Sequence, residues 1–327
     1  MNKLTKIGVS ALCGSLASVA AANAGALDVT GSASATYTSL SDQVVGNPLG
    51  MATSMTFTGN GELDNGSTFS VSIAHNNKAA YSSSSIALTT PSIGTFTYDE
   101  GGGTGIDRID DMMPTAWEET TGTGLSTGLR TVSGAGGNTD LEWTVGMGLP
   151  EGMSAYISFA PRPDGSKNAK KGVGGASTIK GDGWDAVAIY SPEMVPGLKV
   201  FAGWSSIEQN ATLGDKDSDA YGATYAIGGA TVGYQHSKED NVGAAGAYYE
   251  NDAYAISYSV NDDLAISYGT HESKGSTPGR TVSAESFQIS YSIGGASLVL
   301  AESKVDNQNY QTASNREGRT VALTLAF

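Results

Sequence analysis

Phe287-Gln-Ile-Ser-Tyr-Ser-Ile-Gly-Gly-Ala-Ser-Leu-Val-Leu-Ala-Glu-Ser-Lys304 carries the pattern from which the architecture follows. Phe287, Ile289, Tyr291 and Ile293 alternate with Gln288, Ser290 and Ser292 before Gly294-Gly295 reverses the chain into a second segment. Residues i and i+2 of a strand share a face, so one face is apolar and the other small and polar. The same alternation runs through Leu27, Val29, Gly31, Ala33, Ala35 and Tyr37, and through Leu141, Trp143, Val145, Met147 and Leu149. It closes the chain at Val321, Leu323, Leu325 and Phe327. No helical stripe of comparable length occurs.

Sixteen segments read this way, at 27–38, 51–62, 67–75, 85–90, 94–99, 140–149, 153–160, 184–191, 198–206, 219–228, 230–237, 250–260, 264–271, 282–293, 296–304 and 318–327. Their connections alternate in length. Short turns such as Asp64-Asn65-Gly66, Pro150-Glu151-Gly152 and Gly228-Gly229 have strong reversal chemistry. Between them lie longer loops rich in Gly, Asp and other polar residues. Seven turns and eight loops are what sixteen antiparallel strands require. The segments beginning at Tyr225, Tyr258 and Tyr291 start 33 residues apart, the length of a hairpin with its long loop.

Composition narrows the choice of fold. The chain has 327 residues, 39% hydrophobic and 16% charged, with 44 Gly and 15 Tyr. Its formal charge of −15 argues against nucleic-acid binding, which needs clustered cations against phosphates. A soluble sandwich would bury large residues on one face of each sheet, whereas here the second face is too small and polar for a dry core. A closed barrel with lipid outside and water inside satisfies both faces and leaves no edge strand. Sixteen strands leave an aqueous channel where eight would be filled by side chains. The expected fold is therefore all-β: a 16-stranded antiparallel transmembrane barrel with short periplasmic turns and long extracellular loops. Tyr37, Tyr98, Tyr156, Tyr190, Trp143, Trp184 and Trp204 fall in or at the ends of strands, as lipid–water aromatic girdles do.

Residues 1–24 read as a secretory signal peptide. Lys3 and Lys6 precede a small-apolar run that ends in Ala22-Asn23-Ala24, with a second Ala-x-Ala placing the cut after Ala26 as the alternative. Residues 25–327 then form the barrel domain. The mature chain would lose Cys13, its one cysteine, and carry 16 basic against 33 acidic residues.

With its signal peptide, turn–loop parity, opening strand Leu27-Asp-Val-Thr-Gly-Ser-Ala and terminal strand Val321-Ala-Leu-Thr-Leu-Ala-Phe327, the chain resembles a general diffusion porin of the Gram-negative outer membrane, of the alphaproteobacterial type. That resemblance implies an integral outer-membrane homotrimer surrounded by outer-membrane lipids, with a third loop folded inward to narrow the pore. The same resemblance implies passage of small hydrophilic solutes and ions without catalysis or a required cofactor.

The third loop, 99–139, is also the longest, and its length is implausible for an idle surface loop. It carries Asp99, Glu100, Asp107, Arg108, Asp110, Asp111, Glu118 and Glu119, the residues expected at the pore constriction. Carboxylates in a narrow, low-dielectric channel attract cations, so cation preference is expected. Ile106, Ile109, Met112, Met113 and Trp117 are placed to anchor the loop, and Pro114 to open a short helical turn. Porins of this kind oppose the acidic loop with basic residues. The first five strands here hold no Lys or Arg, and Arg130, Arg162, Lys199 and Arg319 are the later candidates for a basic pore wall. Asp107, Asp110 and Asp111 suit a Ca2+ ion by ligand type, as do Asp215, Asp217 and Asp219, though without EF-hand spacing. A substrate-specific channel is the second reading. A barrel enzyme or adhesin is remoter, because His75, His236 and His271 sit at outer strand ends and no nucleophile elbow or His-x-x-x-His pair occurs.

Overall fold

The computed structural model describes residues 24–41, 47–77, 82–100, 102–163, 179–277 and 281–327. The signal-peptide segment before residue 24 lies outside them. Sixteen antiparallel strands close into one barrel: β1 (Ala24–Leu40), β2 (Leu49–Glu62), β3 (Thr68–Asn76), β4 (Ser83–Thr90), β5 (Gly94–Asp99), β6 (Asp140–Val145), β7 (Met153–Ala160) and β8 (Ile179–Tyr190) form the first half. The second half comprises β9 (Leu198–Gln209), β10 (Lys216–Ile227), β11 (Ala230–Asp240), β12 (Tyr248–Ser259), β13 (Leu264–Gly275), β14 (Thr281–Ile293), β15 (Ala296–Asp306) and β16 (Arg316–Ala326). Each strand pairs with its sequence neighbours, and β1 pairs with β16 through Tyr37↔Val321 and Ala33↔Leu325. Every expected segment is a strand. Phe327 completes the closure, its N–H and C=O each bonded to Gly31 at 3.0 Å.

Two boundary differences have physical causes. The segment expected to run to Leu149 ends at Val145, because Gly148 takes a φ of +72° and begins the turn. Strands β9 to β16 extend beyond the alternating residues at their loop ends. There the outward positions change from apolar to charged, as at Glu302↔Arg319 and Lys304↔Glu317, while the backbone ladder continues. The apolar period ends before the hydrogen bonding does.

Outward residues include Met51, Ile86, Trp204, Tyr254, Ile293 and Leu323, all exposed on the barrel surface. Trp143, Trp184 and Tyr98 share that face, as the girdle pattern requires. Tyr156 does not: it pairs with Val187 on the lumenal face and lies 3.7 Å beneath the Arg108 guanidinium. His271 also differs from expectation, being buried on the inner face of β13 rather than solvated.

The hydrophobic cores lie inside the lumen, where residues 100–139, hereafter loop L3, meet the wall. Ile106, Ile109, Met113 and Val132 pack on Val187, Phe201, Ala220 and Ala253, and Leu125 packs on Val282, Ala284 and Val305. Inward apolar side chains thus cluster where the loop covers them and would otherwise face water.

Candidate functional site: the loop-lined passage

L3 leaves β5 and forms one 3-10 turn, Gly105–Ile109, against β7 to β10. It then crosses the inner wall toward β14 to β16 before returning to β6. Its entry is pinned by wall carboxylates. Asp185 on β8 accepts the backbone N–H groups of Ile106 (3.0 Å), Ala135 (2.9 Å) and Gly136 (2.8 Å), tying outgoing and returning limbs to one side chain. Glu142 on β6 accepts the Gly105 N–H (2.7 Å) and pairs with Arg108. Thr104 Oγ1 donates to Asp140 Oδ1 (2.8 Å). Charge-assisted bonds of this kind are about twice as strong as neutral ones. They offset the entropy of fixing a long loop.

Glycines on the wall admit the loop's side chains. A Cβ at Gly203 would stand 2.7 Å from Ile109 Cδ1, and one at Gly233 2.5 Å from Pro114 Cδ. Pro114 therefore wedges against β11 and opens no helix; the short helical turn precedes it. Further along, Thr123 Oγ1 bonds Ser303 Oγ, and Leu125 enters the second core.

The expected constriction residues divide into distinct environments. Asp111 and Glu118 are exposed within the lumen. Asp107 accepts the Gly103 N–H (2.7 Å) and is partly covered, as is Asp99, which accepts the Gly102 N–H (2.8 Å). Glu119 accepts the Met113 N–H (3.1 Å). Glu100 is buried, accepting from Tyr98 Oη (3.3 Å) and Ser84 Oγ (3.4 Å), whose residues belong to the outward face, and so stands away from the lumen. Arg108 is spent on Glu142 and Tyr156.

Burial raises the acidity constants of the covered loop acids, with neighbouring carboxylates adding to it. Asp110 is pushed up to about 7 by burial, then by Asp111 and Asp107, against a lowering bond from Thr131. Glu119 is pushed up to about 8 by burial, with Asp110, Asp111 and Glu118 opposing ionisation. Asp107 is raised by the same first cause, and so is Glu118, whose side chain is exposed to the passage yet partly desolvated by the wall beside it. Among the described residues no three carboxylate, imidazole or thiol side chains converge as a metal site, so Asp107, Asp110 and Asp111 do not assemble the arrangement expected for Ca2+. Asp217 and Asp219 share the outward face of β10 with Tyr221.

The basic wall also differs. Only Lys199 of the four candidates takes the inner face of a strand, near the turn end of β9 and two residues before buried Phe201. Arg319 shares the outward face with Val321 and Leu323 and pairs with Glu302 at 2.9 Å. Arg130 belongs to L3 itself, its guanidinium 5.1 Å over the Tyr249 ring, and Arg162 follows the end of β7. The period-two rule would have placed Arg319 outward, since Val321 is two residues away. The same rule marks Asp140, Glu142 and Asp185 as inward, although sequence reasoning did not select them. Lys216 and Glu239, an inward ion pair at 2.7 Å, were missed for want of any local motif.

One open space lies beside the L3 tip. A cavity of about 490 Å3 has Trp117 and Glu118 on one side and Ser32, Ser34, Ser54 and Thr324 on the other. Trp117 is thus not in the anchoring core formed by Ile106, Ile109 and Met113.

A closed barrel with an apolar exterior, a hydroxylated inner wall and a loop folded into its lumen defines a transmembrane water-filled channel. The profile of the Gram-negative porin family matches residues 8–322, and the chain belongs to that family. It is accordingly a bacterial outer-membrane diffusion porin. Similar solved structures include the Salmonella typhi OmpF complex with daunomycin, at 16% identity and TM-score 0.70, covering 92% of this chain and 97% of that one. An anion-selective porin from Comamonas acidovorans aligns at 12% identity and TM-score 0.69, covering 93% and 100%. A mutant of the Rh. blastica porin aligns at 13% and 0.62, covering 92% and 100%. These likenesses concern the fold. No curated protein sequence matches the chain.

Proposed function

We propose that the chain is a general diffusion porin with cation preference, filtering small hydrophilic solutes by size and charge where L3 narrows the lumen. The observation that carries this reading is the one-sided charge of the passage: Glu118 lines it together with uncharged Ser32, Ser34, Ser54 and Thr324, and Asp111 is exposed on the same loop. Strands β1 to β5 supply no Lys or Arg to compensate them. A low-dielectric channel focuses that negative potential onto permeating ions. Neither calcium nor another cofactor enters this mechanism. Solutes move down their own gradients.

The functional unit in this reading is a homotrimer. Short strands β3 to β6 and the exposed Leu49, Met51, Phe57, Ile73 and Ile86 form a low, apolar flank suited to a second copy. Liposome swelling tests the diffusion reading. Entry should fall smoothly with solute size across sugars and amino acids, without saturation. Rapid uptake of one sugar with exclusion of others of equal size would instead establish a substrate-specific channel.

A further inference from the structure

The tip of L3 is held rigidly. Thr115 Oγ1 donates to the Glu118 carbonyl (2.7 Å), and Gln288 Nε2 donates to the same oxygen (2.6 Å). The Glu118 N–H returns a bond to Gln288 Oε1 (3.1 Å), while the Ala116 N–H donates to Ser267 Oγ (2.9 Å). Two strands, β13 and β14, thereby fix a turn whose outermost side chains are Trp117 and Glu118. Both line the 490 Å3 cavity, opposite neutral hydroxyls.

A hydrated potassium ion makes use of the carboxylate but not of the indole. An ammonium ion bearing an apolar group uses both, because Trp is the strongest cation–π partner among aromatic side chains and also offers apolar area. Ser32, Ser34 and Thr324 can accept its N–H bonds, and no lysine or arginine of β1 to β5 repels it. A neutral sugar gains stacking and hydroxyl contacts without the ionic attraction; an anion is repelled.

We propose that Trp117 and Glu118 form a subsite for small organic ammonium ions in the passage between L3 and β1–β2. This deepens, and rests on, the cation-preferring reading. The rigid tip matters because a preorganised aromatic–carboxylate pair binds without a loop-ordering cost.

The full protein in planar bilayers tests it, with benzylammonium chloride titrated into a KCl bath and methyl glucoside as neutral control. Expected is a saturable, reversible reduction of current by benzylammonium and none by the glucoside. Trp117→Ala should raise the half-blocking concentration roughly tenfold, the scale of one cation–π contact, and Trp117→Phe by less. Glu118→Gln should raise it as well. Absence of block, block untouched by Trp117→Ala, or equal block by the glucoside would overturn the subsite. Cation preference in KCl without block removes the subsite alone, whereas anion preference removes the underlying reading.

Discussion

Asp110 and Glu119 hold protons near neutrality because L3 buries them beside other carboxylates. The loop's effective charge is therefore smaller at pH 6 than its count of acids implies. It grows as pH passes about 7 for Asp110 and about 8 for Glu119. Cation preference should accordingly strengthen between pH 6 and pH 9, and Asp110→Asn with Glu119→Gln should flatten that rise; reversal potentials at the two pH values are the check. Linkage has the opposite sign for loop docking. Both folded values lie above the unfolded ones of 3.8 and 4.5, so the stabilisation is complete below the unfolded values and is lost as pH rises from there through about 7 and 8. Channel noise should increase over that range and level off above it. At this scale the sequence was only partly legible. It named the acids of the loop, but exposed Asp111 and covered Asp110 are adjacent in the chain and differ only through packing. Arg319, by contrast, could have been placed from parity alone.

L3 behaves as an element stapled to the wall at a few points, of which Asp185 is the most connected. Asp185→Ala leaves three buried N–H donors without their acceptor, at about 1–3 kcal/mol each. The variant should retain the barrel, judged by heat-shifted electrophoretic mobility, yet show larger and noisier single-channel conductance. Asp185→Asn keeps one carbonyl acceptor and should lie between. Gly203→Val pushes a side chain into Ile109 and should displace the loop similarly, with an intact β-signal in circular dichroism. The strands themselves were legible because lipid outside and water inside impose a strict two-residue period, as in 282–293 and 318–327. The route of L3 was not, since it depends on Gly203, Gly233 and Asp185, which lie far away in sequence and carry no periodic signal.

For the molecule as a whole, lipid-facing apolar rows and a hydroxyl-rich interior explain why a membrane protein has a mean hydropathy of −0.17. The shallow flank of β2 to β6, with Met51 of β2 79% exposed, should be covered in the assembled porin. Sedimentation in mild detergent should give a trimer, and paired Met51→Lys and Ile86→Lys changes should shift it toward monomer while single barrels still form. The fold alone leaves selectivity open, because an anion-selective porin shares it; in the proposed reading the charge arrangement at the loop sets it. The most direct measurement is the zero-current potential of the reconstituted protein across a tenfold KCl gradient at pH 7.4. A potential of the sign set by K+ flow, decreasing when Asp111→Asn and Glu118→Gln are combined, is the expected result. A potential set by Cl−, or one unmoved by those two changes, would contradict it.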